Sequence, residues 1–218
     1  MESAEGRSAS LVASARKLIQ RTHASSAPME FRVGDARDLG SLGLSNLDAA
    51  TCIMALMNIN PLEPVLSGIA ATLRPGGRCV VVVLHPAFRS PGQTSWGWEG
   101  QTKQEAAASR TTRTSKPGTS SKLAQYRRVD GYLSPGVRDI IMNPGAAAKG
   151  QAPIMTQTFH RSIQAYVKGF ASAGLLVSAL EEWPSTRQSE PGPRAAEENR
   201  ARREIPMFLA IRGVKVSG

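Results

Sequence analysis

The sequence predicts an α/β fold: a largely parallel sheet with helices on both faces and an antiparallel strand at its C-terminal end. Three observations predict it. Strand-length apolar runs alternate with segments of helical period. The run "RCVVVVL", residues 78–84, has no polar alternation, as a central strand covered on both faces requires. A well-punctuated amphipathic helix precedes that run and ends in Gly-Gly.

The elements follow in order. Leu11, Val12, Ala15, Leu18 and Ile19 place an apolar stripe on a helix over 8–22. "MEFRVGDA" alternates Met29, Phe31 and Val33 before a Gly-Asp turn and predicts a strand. "LDAATCIMALM" is an apolar run that predicts a buried strand ending near Met54. The next helix is expected to start with Asn60 as cap, Pro61 in the first position and Glu63 closing a capping box. Leu62, Val65, Leu66, Ile69, Ala70 and Leu73 then recur at helical spacing until "RPGG" stops them. Ile163, Val167, Phe170 and Ala171 mark a further helix ending at Gly174. "LLVSALEEW" and "IPMFLAIRG" predict two last strands separated by a charged loop at 184–204.

At 218 residues the chain fits one domain with insertions. No apolar run approaches the roughly eighteen residues that span a membrane. Cys52 and Cys79 both lie in apolar strands, which suits a reduced, cytoplasmic interior rather than a disulfide scaffold or zinc site. The N-terminus is Ser- and Arg-rich, as organellar transit peptides are, but Glu2 and Glu5 run against that reading. The net charge of +10 is concentrated: Ala87 to Asp130 holds eight Lys/Arg against three Asp/Glu. The segment 89–157, Ser/Thr/Gly-rich at its centre, is expected to be a flexible basic insertion on the substrate side. It carries no nucleic-acid motif, so nucleic acid is an unlikely partner.

In sheets of this kind ligands sit beyond the carboxyl ends of the strands. Chemistry is therefore expected at Gly34–Asp38, Ile53–Ile59 and Leu84–Arg89. His85 stands in the last of these, at a His-Pro corner. Its residue type allows either a general base or a structural histidine fixed by Pro86.

"FRVGDARDLG", "LDAATCIMALMNI" and "LRPGGRCVVVVLHP", together with the tail "HRSIQAYVKGFASAGLLVSALEEW", resemble the class I S-adenosylmethionine-dependent methyltransferases of small-molecule type. The resemblance covers residues 8–90 well and 158–215 in outline. It implies S-adenosylmethionine as cofactor, a small-molecule methyl acceptor as partner, and a Rossmann-like sheet of strand order 3-2-1-4-5-7-6. It implies that Asp35 accepts from the adenine amino group and that Ala36 offers its backbone amide. Ile53, Met54 and Met57 would line the cofactor pocket, with Asn58 at its rim. His85 would face substrate as base or orienter, and His160, Trp96 and Trp98 would stand on the acceptor side, the tryptophans alternatively anchoring the insertion.

The sequence departs from that family in lacking GxGxG, and Gly6 stands where the ribose-binding acid is expected, with Glu5 adjacent. The expectation is a chain that starts after the second strand. Cofactor affinity would then be no tighter than about millimolar, and "AATCIMAL" would form an apolar sheet edge prone to self-association. A catalytically inactive remnant acting as a binding protein is the alternative to methyl transfer.

Overall fold

The strand β2 (Leu73–Leu84) organises the molecule, with β1 (Leu47–Ile53) parallel on one side and β8 (Phe208–Lys215) antiparallel on the other. Beyond β8 lies β7 (Leu175–Trp183), also antiparallel to it, so the sheet runs β1-β2-β8-β7. The computed structural model describes residues 30–100 and 123–216. The helix expected at 8–22, Met29, Glu5, Gly6 and the centre of the basic insertion lie outside the described residues.

Side-chain alternation divides the sheet into two faces. Cys79, Val81 and Val83 of β2 and Leu209 and Ile211 of β8 are fully buried on one of them. Two helices cover that face: α1 (Glu63–Thr72), through Val65, Leu66 and Ile69, and α3 (Ile163–Ser172), through Tyr166 and Phe170. Each such fully buried aliphatic contributes about 1.5–3 kcal/mol of transfer free energy. Both described helices on the sheet lie on this one face. The opposite face shows Ile53 at 56% and Leu176 at 63% exposure among the described residues. Burial also pushes the Cys79 thiol up to about 12, which keeps it inert.

Several boundaries differ from the sequence expectation. Residues 30–35 form no strand, and no described strand pairs with them. β1 is thus the edge of the described sheet. Helix α1 begins at Glu63 with Leu62 as its N-cap, not at Asn60–Pro61. The Asn60 side chain is used elsewhere, its Oδ1 accepting from Arg161 Nη2 at 3.0 Å. "RPGG" does not separate helix from strand; it is an irregularity inside β2, between the pairs Leu47–Leu73 and Ala49–Arg78. Gly76 there has φ 73°, and a Cβ on Gly77 would lie 2.8 Å from the Arg74 carbonyl oxygen, so both positions require glycine. The charged loop at 184–204 contains helix α4 (Ala195–Glu204), held by ion pairs of Arg200 with Glu197 and Glu204.

The described part of 89–157, expected to be flexible, is built of two antiparallel hairpins. These are β3 (Thr94–Glu99) with β4 (Ala124–Val129), and β5 (Gly136–Ile141) with β6 (Met155–His160), the latter pair enclosing the short helix α2 (Pro144–Ala147). Tyr126, Trp96 and Trp98 give these strands their β character. The low hydrophobic content of the segment conceals it in sequence.

Gly213 marks where packing is tightest. A Cβ there would lie 2.7 Å from the Phe170 ring and 3.1 Å from Leu175 Cβ, between α3 and β7. Gly213→Ala is therefore expected to destabilise the protein by about 1–3 kcal/mol through overpacking, measured by urea denaturation. An unchanged midpoint would show that α3 does not sit against β8 in this way.

Candidate active site

The carboxyl end of the parallel pair β1–β2 opens onto a cleft of about 30 Å³. Met57, just after β1, and Leu84 and Pro86, at the end of β2, form one side. Thr158, Phe159, His160 and Arg161, from β6 and the turn after it, form the other. Ser90, Pro91 and Arg89 close one end, Arg138 of β5 reaches across, and Tyr166 of α3 contributes from below. Two of the three segments expected to carry chemistry, Ile53–Ile59 and Leu84–Arg89, thus border it. The second hairpin, which sequence reasoning passed over apart from His160, supplies much of the opposite wall.

The two candidate histidines differ in setting. His85 is 1% exposed and does not line the cleft. Its Nδ1 accepts from the Ala87 backbone N–H at 3.2 Å, so Nε2 carries the proton and donates to Glu182 at 2.6 Å. Phe88 stacks on the ring at 4.7 Å. Both nitrogens are spent, and burial lowers the pKa against the opposite pull of Glu182. With both ring nitrogens engaged and the side chain outside the cleft, His85 stands here as the structural histidine the sequence left open, joining the end of β2 to β7.

His160 has the arrangement His85 lacks. Its Nε2 lies 2.7 Å from the Tyr132 carbonyl oxygen. A carbonyl only accepts, so Nε2 bears a hydrogen, and Nδ1 has no partner among the described residues. Tyr132 holds the neighbourhood twice over, since its Oη also accepts from the Ile163 N–H at the start of α3.

The remaining predicted residues are dispersed. Asp35 accepts from the Arg37 backbone N–H at 2.9 Å and pairs with the Arg37 guanidinium at 2.6 Å. Those bonds hold its carboxyl down at about 2. Ala36 opens the 3-10 stretch Ala36–Leu42, which packs on α1. Neither residue lines the cleft. Ile53 faces outward at 56% exposure, on the sheet face away from α1 and α3. Met54 has φ 55° and is tied by its N–H to the Val82 carbonyl at 2.8 Å. Met57 alone of the three lines the cleft. Trp96 and Trp98 do not line it. Trp96 lies between the guanidinium groups of Arg89 and Arg127, at 4.9 and 5.0 Å, and Trp98 lies under that of Arg194 at 5.0 Å. They fasten the first hairpin to the turn after β2 and to the α4 segment.

Comparison with known proteins agrees with this architecture. Residues 7–81 match the family model of the methyltransferase domain. The S-adenosylmethionine dependent methyltransferase of Mesorhizobium loti is similar in structure, with a TM-score of 0.56 at 17% identity over 93% of this chain and 77% of that one. A Listeria monocytogenes protein assigned to the same kind gives 0.56 at 18% identity over 93% and 76%. A Methanosarcina mazei SAM-dependent methyltransferase gives 0.50 at 11% identity over 100% and 80%. No curated protein sequence matches. The fold is that of the class I S-adenosylmethionine-dependent methyltransferases, and residues 7–81 are similar to the methyltransferase domain. S-adenosylmethionine is the cofactor of that class.

One feature of the site fits that cofactor. Asn58 Oδ1, in the 3-10 turn Leu56–Asn58 next to Met57, is buried without a hydrogen-bond partner among the described residues. A buried acceptor left open is costly unless a ligand donor meets it, and the cofactor's methionine ammonium is such a donor.

The lowered pKa of His85 has a consequence for stability. The folded chain holds the ring neutral while the unfolded chain protonates it near the ordinary value of 6.5. Its stabilisation is therefore complete above about that pH and is lost as pH falls through the lower folded value. Unfolding free energies between pH 5 and 8 should rise more steeply with pH for the wild type than for His85→Asn. Parallel curves would show that His85 is not held neutral.

Proposed function

We propose that this chain transfers a methyl group from S-adenosylmethionine to a small-molecule nucleophile seated in the cleft, with His160 as the proton acceptor. The observation that supports this most is the state of His160. Its Nε2–H is committed to a backbone carbonyl, and its Nδ1 has no partner among the described residues at the rim of the cleft.

When bound, the cofactor supplies a methyl group on a sulfonium, whose departing electron pair returns to sulfur without needing an acid. The chain's own residues then have two tasks. They hold the acceptor in line, which can contribute several kcal/mol by orientation alone, and they take the proton the acceptor sheds. His160 Nδ1 performs the second task, while the bond from Nε2 to Tyr132 keeps the ring in the correct tautomer. Asn58 would meet the methionine ammonium. Met54 and Met57 would flank the sulfur and ribose side, and Asp35 with Ala36 would serve the adenine. Arg37 keeps Asp35 ionised, so Asp35 is a standing acceptor for an exocyclic amine.

Two outcomes are expected. His160→Ala should lower turnover by roughly 10²–10⁴-fold while cofactor binding and melting temperature stay at wild-type values; unchanged turnover would remove His160 from the chemistry. Asp35→Ala should weaken S-adenosylmethionine binding roughly tenfold in a calorimetric titration, and equal affinity would place the adenine elsewhere.

A further inference from the structure

The cleft is cationic in an unusual way. Arg89, Arg138 and Arg161 all line it, and no carboxylate does. Elsewhere several arginines are paired with a carboxylate: Arg32 with Glu30, Arg37 with Asp35, Arg74 with Asp48 and Arg200 with Glu197, each at 2.6 or 2.7 Å. None of the three cleft arginines has such a partner among the described residues.

Two of them are nonetheless fixed in place by uncharged oxygens. Arg161 donates through Nη2 to the Ile59 carbonyl at 2.7 Å and to Asn60 Oδ1 at 3.0 Å. Arg89 donates through Nε to Pro206 O at 3.1 Å and through Nη2 to Ile205 O at 3.2 Å. Backbone carbonyls orient a guanidinium without cancelling its charge, and some of its five N–H groups remain for a ligand. Burial, together with the nearby guanidinium groups of Arg127 and Arg202, brings Arg89 down to about 10, a sign of positive charge crowded without compensation. Arg138 makes no hydrogen bond among the described residues. Its Nε passes 3.0 Å from where a Gly92 Cβ would stand, so Gly92 leaves the space through which it reaches the cleft wall.

We propose that this cleft binds an anionic group, a carboxylate or a phosphate, carried by the methyl acceptor. The assignment of that group to the acceptor rests on the methyl-transfer reading above. The cleft is small, about 30 Å³, so it suits a compact charged head while the rest of the acceptor lies outside. Planar guanidinium forks are the side chains best suited to such a head. With the anion held between Arg89, Arg138 and Arg161, the acceptor is anchored beside His160, which lines the same cleft.

The test titrates the full chain with inorganic phosphate and, separately, with succinate at low ionic strength, following heat and tryptophan fluorescence, since Trp96 lies on Arg89. The wild type should bind at least one of the two, and whichever binds more tightly identifies the head group. Arg138→Gln should weaken that binding about tenfold or more, Arg138→Lys should weaken it less, and the surface control Arg203→Gln should leave it unchanged. Far-UV melts of each variant separate a loss of fold from a loss of ligand, and Arg138 makes no structural bond whose removal would unfold the chain. Equal weakening by Arg138→Gln and Arg203→Gln, or no binding of either anion by the wild type, would overturn the proposal. S-adenosylmethionine binding is measured in parallel. Cofactor binding without anion binding defeats this inference alone, whereas anion binding without cofactor binding defeats the methyl-transfer reading and leaves an anion site.

Discussion

Burial of Cys79, Val81 and Val83 at the centre of the sheet is the constraint on which the rest depends. A strand paired on both sides cannot slip by one residue without turning those side chains out of the core. Its register therefore fixes where β1 and β8 end, and hence where the cleft opens. Helices α1 and α3 share the covered face, and Gly169 and Gly213 let them approach it: a Cβ on Gly169 would already touch Leu66 at 3.0 Å. Close packing there is what holds the residues after β1 and the end of β6 at the same rim.

The polar framework is built on top of that core, mostly from single bonds between distant segments. His85 joins β2 to β7 through Glu182, 97 residues away. Arg161 joins the start of α3 to the turn after β1 through the Ile59 carbonyl. Arg127 donates to the Phe88 carbonyl at 2.6 Å and carries the first hairpin with it. Arg161 is thereby placed against neutral acceptors, so its charge stays at the cleft instead of being cancelled. Isolated cations in a half-buried place are costly, and the arrangement becomes favourable when an anion enters.

Much of the secondary structure was legible because it rests on local pattern. The uninterrupted apolar run of β2, the stripe of Ile163, Val167, Phe170 and Ala171, and the two last strands all carry their signal within a few residues. The sheet order of the described strands follows the back half expected from the resemblance. Where local pattern misled, a competing contact explains it. Asn60 has the residue type of a cap, but its side chain is taken by Arg161. "MEFRVGDA" alternates like a strand in sequence, but residues 30–35 belong to no strand of the described sheets. The hairpins within 89–157 have little apolar content, and their stability comes from arginine–tryptophan stacking and cross-strand pairing rather than a hydrophobic stripe.

The sequence by itself determined the identity of the buried central strand, the helix before it and the closing helix and strands, because hydrophobic period and turn residues act over a few positions. Only the tertiary structure decided which histidine keeps a ring nitrogen without a partner among the described residues. His85 and His160 are indistinguishable as residue types, and what separates them is a partner supplied from elsewhere in the chain. Glu182 and the Ala87 amide consume both nitrogens of one, while the Tyr132 carbonyl consumes a single nitrogen of the other. The same holds for the arginines: their number was countable from the start, but whether each meets a carboxylate is a property of distance, and distance between residues far apart in sequence is set by the fold.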